Sequence, residues 1–99
     1  MDLFAAAFPN AHWTKILDLN DRTAKGRAFR LLEHGNWVPG EQLADVAGFD
    51  YRTRCSRLRD LGVPVESRAS ENSACHLFRI PRTFLLVLEE KRREKRRTA

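Results

Sequence analysis

Six side chains with strong hydrogen-bonding groups lie within eight consecutive residues of this 99-residue chain. They are Arg52, Thr53, Arg54, Ser56, Arg57 and Arg59. A guanidinium donates hydrogen bonds in a planar fork that fits a phosphate group or the O6 and N7 atoms of guanine, and hydroxyl groups bond to bases and to phosphates. This group of side chains therefore favours recognition of a nucleic acid.

The segment that carries these side chains has the apolar spacing of an amphipathic helix, which we predict over residues 51–61. Its apolar residues are separated by four, three and three positions and share one face of a helix. They are Tyr51, Cys55, Leu58 and Leu61. The opposite face is centred on Thr53, Ser56 and Asp60, so one side of this helix is expected to be buried and the other to be exposed.

The two faces divide the predicted binding roles. Side chains on or beside the exposed face are expected to reach base edges; they are Arg52, Thr53, Ser56 and Arg57. Arg54 and Arg59 border the apolar face and are candidates either for phosphate contacts or for bracing neighbouring elements. Arg68 and Arg79, further along the chain, are also candidates for phosphate contacts. Phosphate contacts position a protein on DNA without reading its sequence.

A shorter helix is predicted directly before this one, from Glu41 to about Ala47. Gly48 supplies the left-handed conformation that ends it. We expect Phe49 to lie in the core and the Asp50 side chain to cap the following helix. The two helices would thus be joined by a tight turn.

The flanking segments predict further elements and a domain order. The elements are a helix capped by Asn20 or Asp21 and running to about His34, a short strand at Trp37 and Val38, hairpin strands at 63–67 and 75–80, and a helix from about Arg82 to Arg97. The fold class is therefore mainly α with a small β-hairpin (α+β). Residues 1–19 form an extension that packs on the domain at 20–81, and residues 82–99 form a basic helix or tail.

The positive charge is concentrated in the second half of the chain. Residues 1–50 hold five Lys/Arg and seven Asp/Glu, whereas residues 51–99 hold thirteen and six, so the halves carry −2 and +7. Much of this excess lies between Tyr51 and Arg68 and between Glu89 and Arg97. Such a distribution is typical of a surface that binds a polyanion. The alternative is that the basic tail is only exposed to solvent and binds no partner.

Other classes of protein are disfavoured by the residue inventory. Cys55 and Cys75 are expected to stay reduced, and the three histidines have no zinc-ligand spacing with them, so no metal or other cofactor is expected. No nucleophile with a plausible base and no glycine-rich phosphate loop is present, so no enzyme is expected. No apolar run approaches the roughly 20 residues of a membrane span, and no signal-peptide pattern starts the chain. A cytoplasmic location without membrane contact is therefore expected.

The order helix, short strand, helix, helix, strand, strand resembles the winged helix-turn-helix DNA-binding superfamily over residues 20–81. The sequence TRCSRLRDLG followed by VPVES, with a hairpin that ends FRI, is most similar to small helix-turn-helix domains of bacteriophages and prophages. The resemblance implies a double-stranded DNA partner, a recognition helix at 51–61 and a wing at 64–80, in transcription regulation or a phage DNA transaction. One departure is that Arg54 stands where the pattern has an apolar residue, which predicts a turn one residue longer.

Five consecutive apolar residues, Phe84 to Leu88, leave the assembly state open. They predict either a homodimer through Phe84, Leu85 and Leu88 or a cap on the core of the monomer. An alternative function follows from the same residues. Together with Trp13 and Trp37, they would provide the apolar surface of a protein-interaction adaptor that has no specific DNA site.

Overall fold

The chain folds into helices packed on a small sheet, as a computed structural model of residues 7–71 and 76–98 describes. The elements are α1 (Trp13–Leu17), α2 (Ala24–Leu32), β1 (Val38–Pro39), α3 (Gly40–Ala47), α4 (Tyr51–Asp60), β2 (Glu66–Ala69), β3 (His76–Arg79) and α5 (Arg82–Thr98). The predicted mainly α fold with a small β-hairpin is confirmed. A short helix expected after Asp2 and the position of Cys75 lie outside the described residues.

The three strands form one antiparallel sheet in the order β1-β3-β2. Phe78 in β3 pairs with Val38 on one side and with Ser67 on the other. The first hairpin strand begins later than predicted, at Glu66, because the chain makes a tight turn over residues 63–65. Val63 and Val65 are both buried, and the Val65 N–H donates to the Val63 carbonyl at 2.9 Å, which bends the chain around Pro64 before β2 starts.

The core lies between α2, α3, α4 and the inner face of the sheet. The fully buried side chains that α2, α3 and α4 contribute are Ala28, Phe29, Leu32, Leu43, Cys55 and Leu58. Phe29, which the spacing places at the margin of the apolar face, is in fact 1% exposed. The ring of Tyr51 packs edge-on against Phe78 with centroids 5.8 Å apart, so the start of α4 is fixed to the sheet.

Helix α2 begins later than predicted and is capped by Thr23 instead of Asn20 or Asp21. The Gly26 N–H donates to Thr23 Oγ1 at 3.0 Å. Asn20 Oδ1 accepts a bond from the Arg22 N–H at 2.9 Å and closes a turn ahead of the helix. The turn packs so closely on α2 that a Cβ at Gly26 would overlap the carbonyl of Asn20.

The α3–α4 pair is joined by the predicted tight turn, with two corrections. Gly48 ends α3 at a φ of 83°, as expected. However, α3 already starts at Gly40, and the Asp50 side chain makes no capping bond to α4. The Asp50 carbonyl instead accepts a bond from the Arg54 N–H at 3.1 Å.

Phe49 was expected in the core, and that prediction is wrong because its side chain is 99% exposed. Tyr51, two residues later, packs on the sheet, and Phe49 is left at the tip of the turn. We therefore expect Phe49→Ser to change the free energy of unfolding by no more than about 0.5 kcal/mol, as is usual at the surface. Leu58→Ala, at a fully buried position, should cost about 2–5 kcal/mol in the same urea titration. A loss above about 1 kcal/mol for Phe49→Ser would place this ring in the core after all.

Helix α5 closes the core with two of the residues that were predicted to form a dimer surface. Phe84 and Leu88 are 0% and 2% exposed, and Leu85 is half-buried. The Trp13 ring stacks on Phe84 at 5.1 Å, and Phe8 meets Phe84 edge-on at 5.0 Å. The predicted dimer surface through Phe84, Leu85 and Leu88 is corrected to this extent: Phe84 and Leu88 are buried within the monomer and are not available to a second copy.

The N-terminal segment is also fastened to the end of α4. The His12 N–H donates to the Leu61 carbonyl at 2.8 Å, and Gly62, with a φ of 91°, lies against the backbone of Ala11. A side chain at position 62 would not fit there. Within residues 7–71 and 76–98, no helix is both long and apolar enough to cross a membrane.

Candidate nucleic-acid interface

Helix α4 has one buried face and one exposed face, as its apolar spacing predicts. Cys55 and Leu58 are 0% exposed. The side chains of the opposite face all lie in solvent: Arg52, Thr53, Ser56, Arg57 and Asp60. The structure therefore brings together the four residues that were predicted to reach base edges, on a helix whose other side is anchored in the core.

The charges on the exposed face of α4 are not neutralised by neighbouring carboxylates. Among the described residues, neither Arg52 nor Arg57 forms a salt bridge, and Arg57 and Asp60 do not pair with each other. The Arg52 guanidinium lies 6.0 Å from the centroid of the Tyr51 ring. Both guanidinium groups thus keep their hydrogen-bonding forks available to a ligand.

Arg54 and Arg59 occupy the borders of the core face, where the helical spacing places them. Arg54 is half-buried, and its Nε is buried without a hydrogen-bond partner. Arg59 Nε donates to the Val65 carbonyl at 2.9 Å and links the end of α4 to the segment before β2. Arg59 thus braces two elements, and a phosphate contact remains open only to its terminal nitrogens.

A cleft of about 210 Å³ separates α4 from the hairpin. Its lining residues are Arg52, Cys55, Arg59, Ser67, His76 and Phe78. The described lining contains no carboxylate, so the cleft is suited to a negatively charged ligand. Burial raises the pKa of the Cys55 thiol, although the Arg59 guanidinium acts in the opposite direction. Cys55 is therefore a packing residue, because a buried thiol of raised pKa is a poor nucleophile.

Arg68 and Arg79 lie on the other side of the sheet. In an antiparallel pair, directly opposed side chains share a face and successive ones alternate. Glu66 opposes Arg79 and Arg68 opposes Leu77, whereas Ser67 opposes the buried Phe78, which packs on α4. The predicted site is therefore split, with the phosphate-contact candidates of the hairpin on the face that points away from α4.

A group that we call the outer-face cluster consists of Trp37, Glu66, Arg68 and Arg79. The Cζ atoms of Arg68 and Arg79 lie 4.3 and 4.5 Å from the centroid of the Trp37 ring. Arg79 Nε donates to Glu66 Oε1 at 3.0 Å. Trp37 was predicted on a short strand with Val38, but it directly precedes β1. Its contacts with the two arginines were not predicted, because they depend on the register of β1 against β3.

The basic run of α5 is partly neutralised by ion pairs. Arg93 bonds to Glu89 at 2.7 Å and lies 3.5 Å from Glu90. Arg92 reaches Glu33 of the α2 end at 2.8 Å, and Lys95 reaches Asp18 at 3.4 Å. These pairs fix α5 along α1 and α2, so several of its cations already serve the fold.

No group of three or more His, Cys, Asp or Glu side chains within the described ranges could hold a metal ion. Comparisons with protein-family models, with curated proteins and with solved structures found no match to this chain. The chain's own residues and their geometry are therefore the basis on which its function must be inferred.

Proposed function

We propose that this chain is a winged helix-turn-helix protein that binds double-stranded DNA sequence-specifically. In this proposal α4 is the recognition helix, the β2–β3 hairpin is the wing, and the role is transcription regulation or a phage-related DNA transaction. The observation that carries the proposal is the exposed basic face of α4, where Arg52 and Arg57 stand free of salt bridges among the described residues. The second helix of such a pair is the element that enters the major groove.

The chemistry of that face fits base recognition. A guanidinium fork matches the O6 and N7 atoms of guanine, hydroxyl groups bond to several bases, and a carboxylate accepts from the amino group of cytosine. Arg52 and Arg57 would bond to guanine, and the hydroxyl groups of Thr53 and Ser56 would bond to bases of several kinds. The Asp60 carboxylate would accept from cytosine. Asp60 also disfavours indiscriminate binding, since its charge repels phosphates.

The rigidity of α4 supports the same function. Cys55 and Leu58 anchor it in the core, Tyr51 packs on the sheet, and Arg59 links its end to the hairpin. Side chains on a rigid helix keep their relative positions, which sequence readout requires. The excess charge of +7 in residues 51–99 would draw DNA towards this half of the chain.

Titration of labelled, fragmented genomic DNA at several salt concentrations tests this proposal. Each phosphate contact releases counterions, so log K should fall with log salt by about 0.9 per contact. We expect binding that is measurable at about 50 mM salt and far weaker at about 200 mM. Undetectable binding at the lower concentration, or affinity that does not respond to salt, would rule out DNA binding. Selection from a random duplex library then gives the preferred sequence.

The alternative function, a protein-interaction adaptor, is less well supported. Its apolar surface was expected to come from Trp13, Trp37 and the run from Phe84 to Leu88. Phe84 and Leu88 are buried, Trp13 stacks on Phe84, and Trp37 lies beneath two arginines. Among the described residues, only Phe49 and Leu86 are large apolar side chains that stay exposed.

A further inference from the structure

The outer-face cluster holds two like charges against one aromatic ring. Arg68 on β2 and Arg79 on β3 both place their guanidinium carbon within 4.5 Å of the Trp37 centroid. The face of an indole ring attracts cations, so Trp37 offsets part of the repulsion between them. Arg68 is exposed and the Arg79 side chain is 38% exposed, so both guanidinium groups can be reached from solvent.

The charge of this cluster is not balanced within the protein. Its one carboxylate, Glu66, bonds to Arg79, and no described carboxylate forms a salt bridge with Arg68. Two guanidinium groups held against the same ring are suited to an anion with several oxygens, such as a phosphate, because each of them offers a fork of N–H donors. Trp37 is half-buried and already stacked against both arginines, so its ring is not free to stack on a nucleobase.

We propose that Arg68 and Arg79 form a phosphate-binding site on the outer face of the sheet, positioned by Trp37 and weakened by Glu66. The ligand is a backbone phosphate of duplex DNA next to the part that α4 contacts, reached around the edge of the hairpin because the two arginines lie on the face that points away from α4. The site therefore rests on the proposed function. Trp37 is a positioning residue, because it touches the two arginines and not the phosphate. Glu66 competes with the phosphate for Arg79, so the Glu66 carboxylate weakens the binding of phosphate at this site.

Trp37 also provides the readout. Changing Trp13 to Phe keeps an aromatic ring beside Phe84 and leaves Trp37 as the single tryptophan, since the chain has two. In this background, duplex DNA should change the emission of Trp37 saturably, at the same concentrations at which the anisotropy of the labelled DNA rises. Arg68→Ala should remove most of the emission change, because the guanidinium that lies over the ring is lost.

Affinity measurements on single variants test the roles of the residues. Arg68→Ala and Trp37→Ala should weaken duplex binding about 3- to 10-fold at about 0.1 M salt and lower the salt slope by about 1. Trp37→Phe should stay within about 2-fold of the parent chain, because it retains a ring face for the cations. Glu66→Gln should strengthen binding.

The matched control is Arg82→Ala, which removes an exposed charge outside the cluster and should have the smallest effect.

The possible results separate this proposal from the function on which it rests. If DNA binds but Arg68→Ala and Arg82→Ala behave alike, the phosphate site is overturned and DNA binding stands. If DNA does not bind, the proposed function is overturned, and titration with inorganic pyrophosphate then tests the phosphate site. A saturable change in Trp37 emission that depends on Arg68 supports the site. No change in emission overturns it. Tighter, Arg68-dependent binding of polyglutamate than of DNA would assign the cluster to an acidic protein and overturn the phosphate proposal. Thermal unfolding of each variant separates lost binding from lost folding, and Arg68→Ala is informative even if Trp37→Ala unfolds.

Discussion

Arg57→Ala is expected to lower affinity for the selected DNA sequence by about 5- to 150-fold, and affinity for random DNA by much less. One two-pronged contact to guanine contributes about 1–3 kcal/mol of discrimination. Arg57 is exposed on α4 and forms no salt bridge among the described residues, so its loss leaves no unpaired carboxylate behind. Competition titrations of the selected duplex against a scrambled duplex measure the ratio of the two affinities.

Two control variants separate the charge of Arg57 from its shape. Arg57→Lys keeps the charge but loses the fork. It should therefore bind random DNA about as well as the parent chain does, without the parent chain's preference for the selected sequence. Arg30→Ala removes an exposed charge from α2 and should leave the ratio of the affinities for selected and scrambled DNA unchanged. Equal losses on both duplexes for Arg57→Ala would make it a phosphate contact, and the base-reading role would then be wrong.

Gly26→Ala is expected to destabilise the fold by about 3 kcal/mol, although glycine to alanine inside a helix usually gains up to about 1 kcal/mol. The reason is the close packing of α2 on the preceding turn, where the new Cβ would overlap the carbonyl of Asn20. This neighbour is backbone and cannot move aside as a flexible side chain would. Urea denaturation of the two proteins measures the difference in unfolding free energy.

Gly48→Ala is the matched control for Gly26→Ala. Gly48 has a φ of 83°, but a Cβ there would meet nothing within 4 Å. Its cost should therefore be backbone strain alone, about 1–3 kcal/mol, because a φ of 83° with a ψ of −179° is a conformation that almost only glycine adopts. If Gly26→Ala were as stable as the parent chain, α2 could not lie as close to Asn20 as the structure places it.

The sequence predicts best what depends on spacing within one element. The two faces of α4 follow from four apolar positions, and the ion pairs of Arg93 follow from its distance to Glu89 and Glu90 along a helix. These contacts are set by helical geometry alone. The element order helix, strand, helix, helix, strand, strand was predictable for the same reason, because each element has its own local signal.

The errors concern contacts between distant parts of the chain. Nothing in the sequence near Phe84 and Leu88 shows that Phe8 and Trp13 cover this side of α5. Phe49 was assigned to the core from its apolar character, but Tyr51 packs on the sheet while Phe49 remains exposed. The split of the basic residues over two faces required the strand register, which no local pattern provides.

The attachment of the N-terminal segment has a consequence for where this protein can be divided. Residues 8–13 contact both the end of α4, through His12 and Leu61, and α5, through the rings beside Phe84. A fragment limited to residues 20–81 would lose the segment that packs on the C-terminal end of α4 as well as the α5 side chains that complete the core. The smallest unit that folds on its own is therefore set by these long-range contacts, and it includes residues 8–13 and α5 as well as α4.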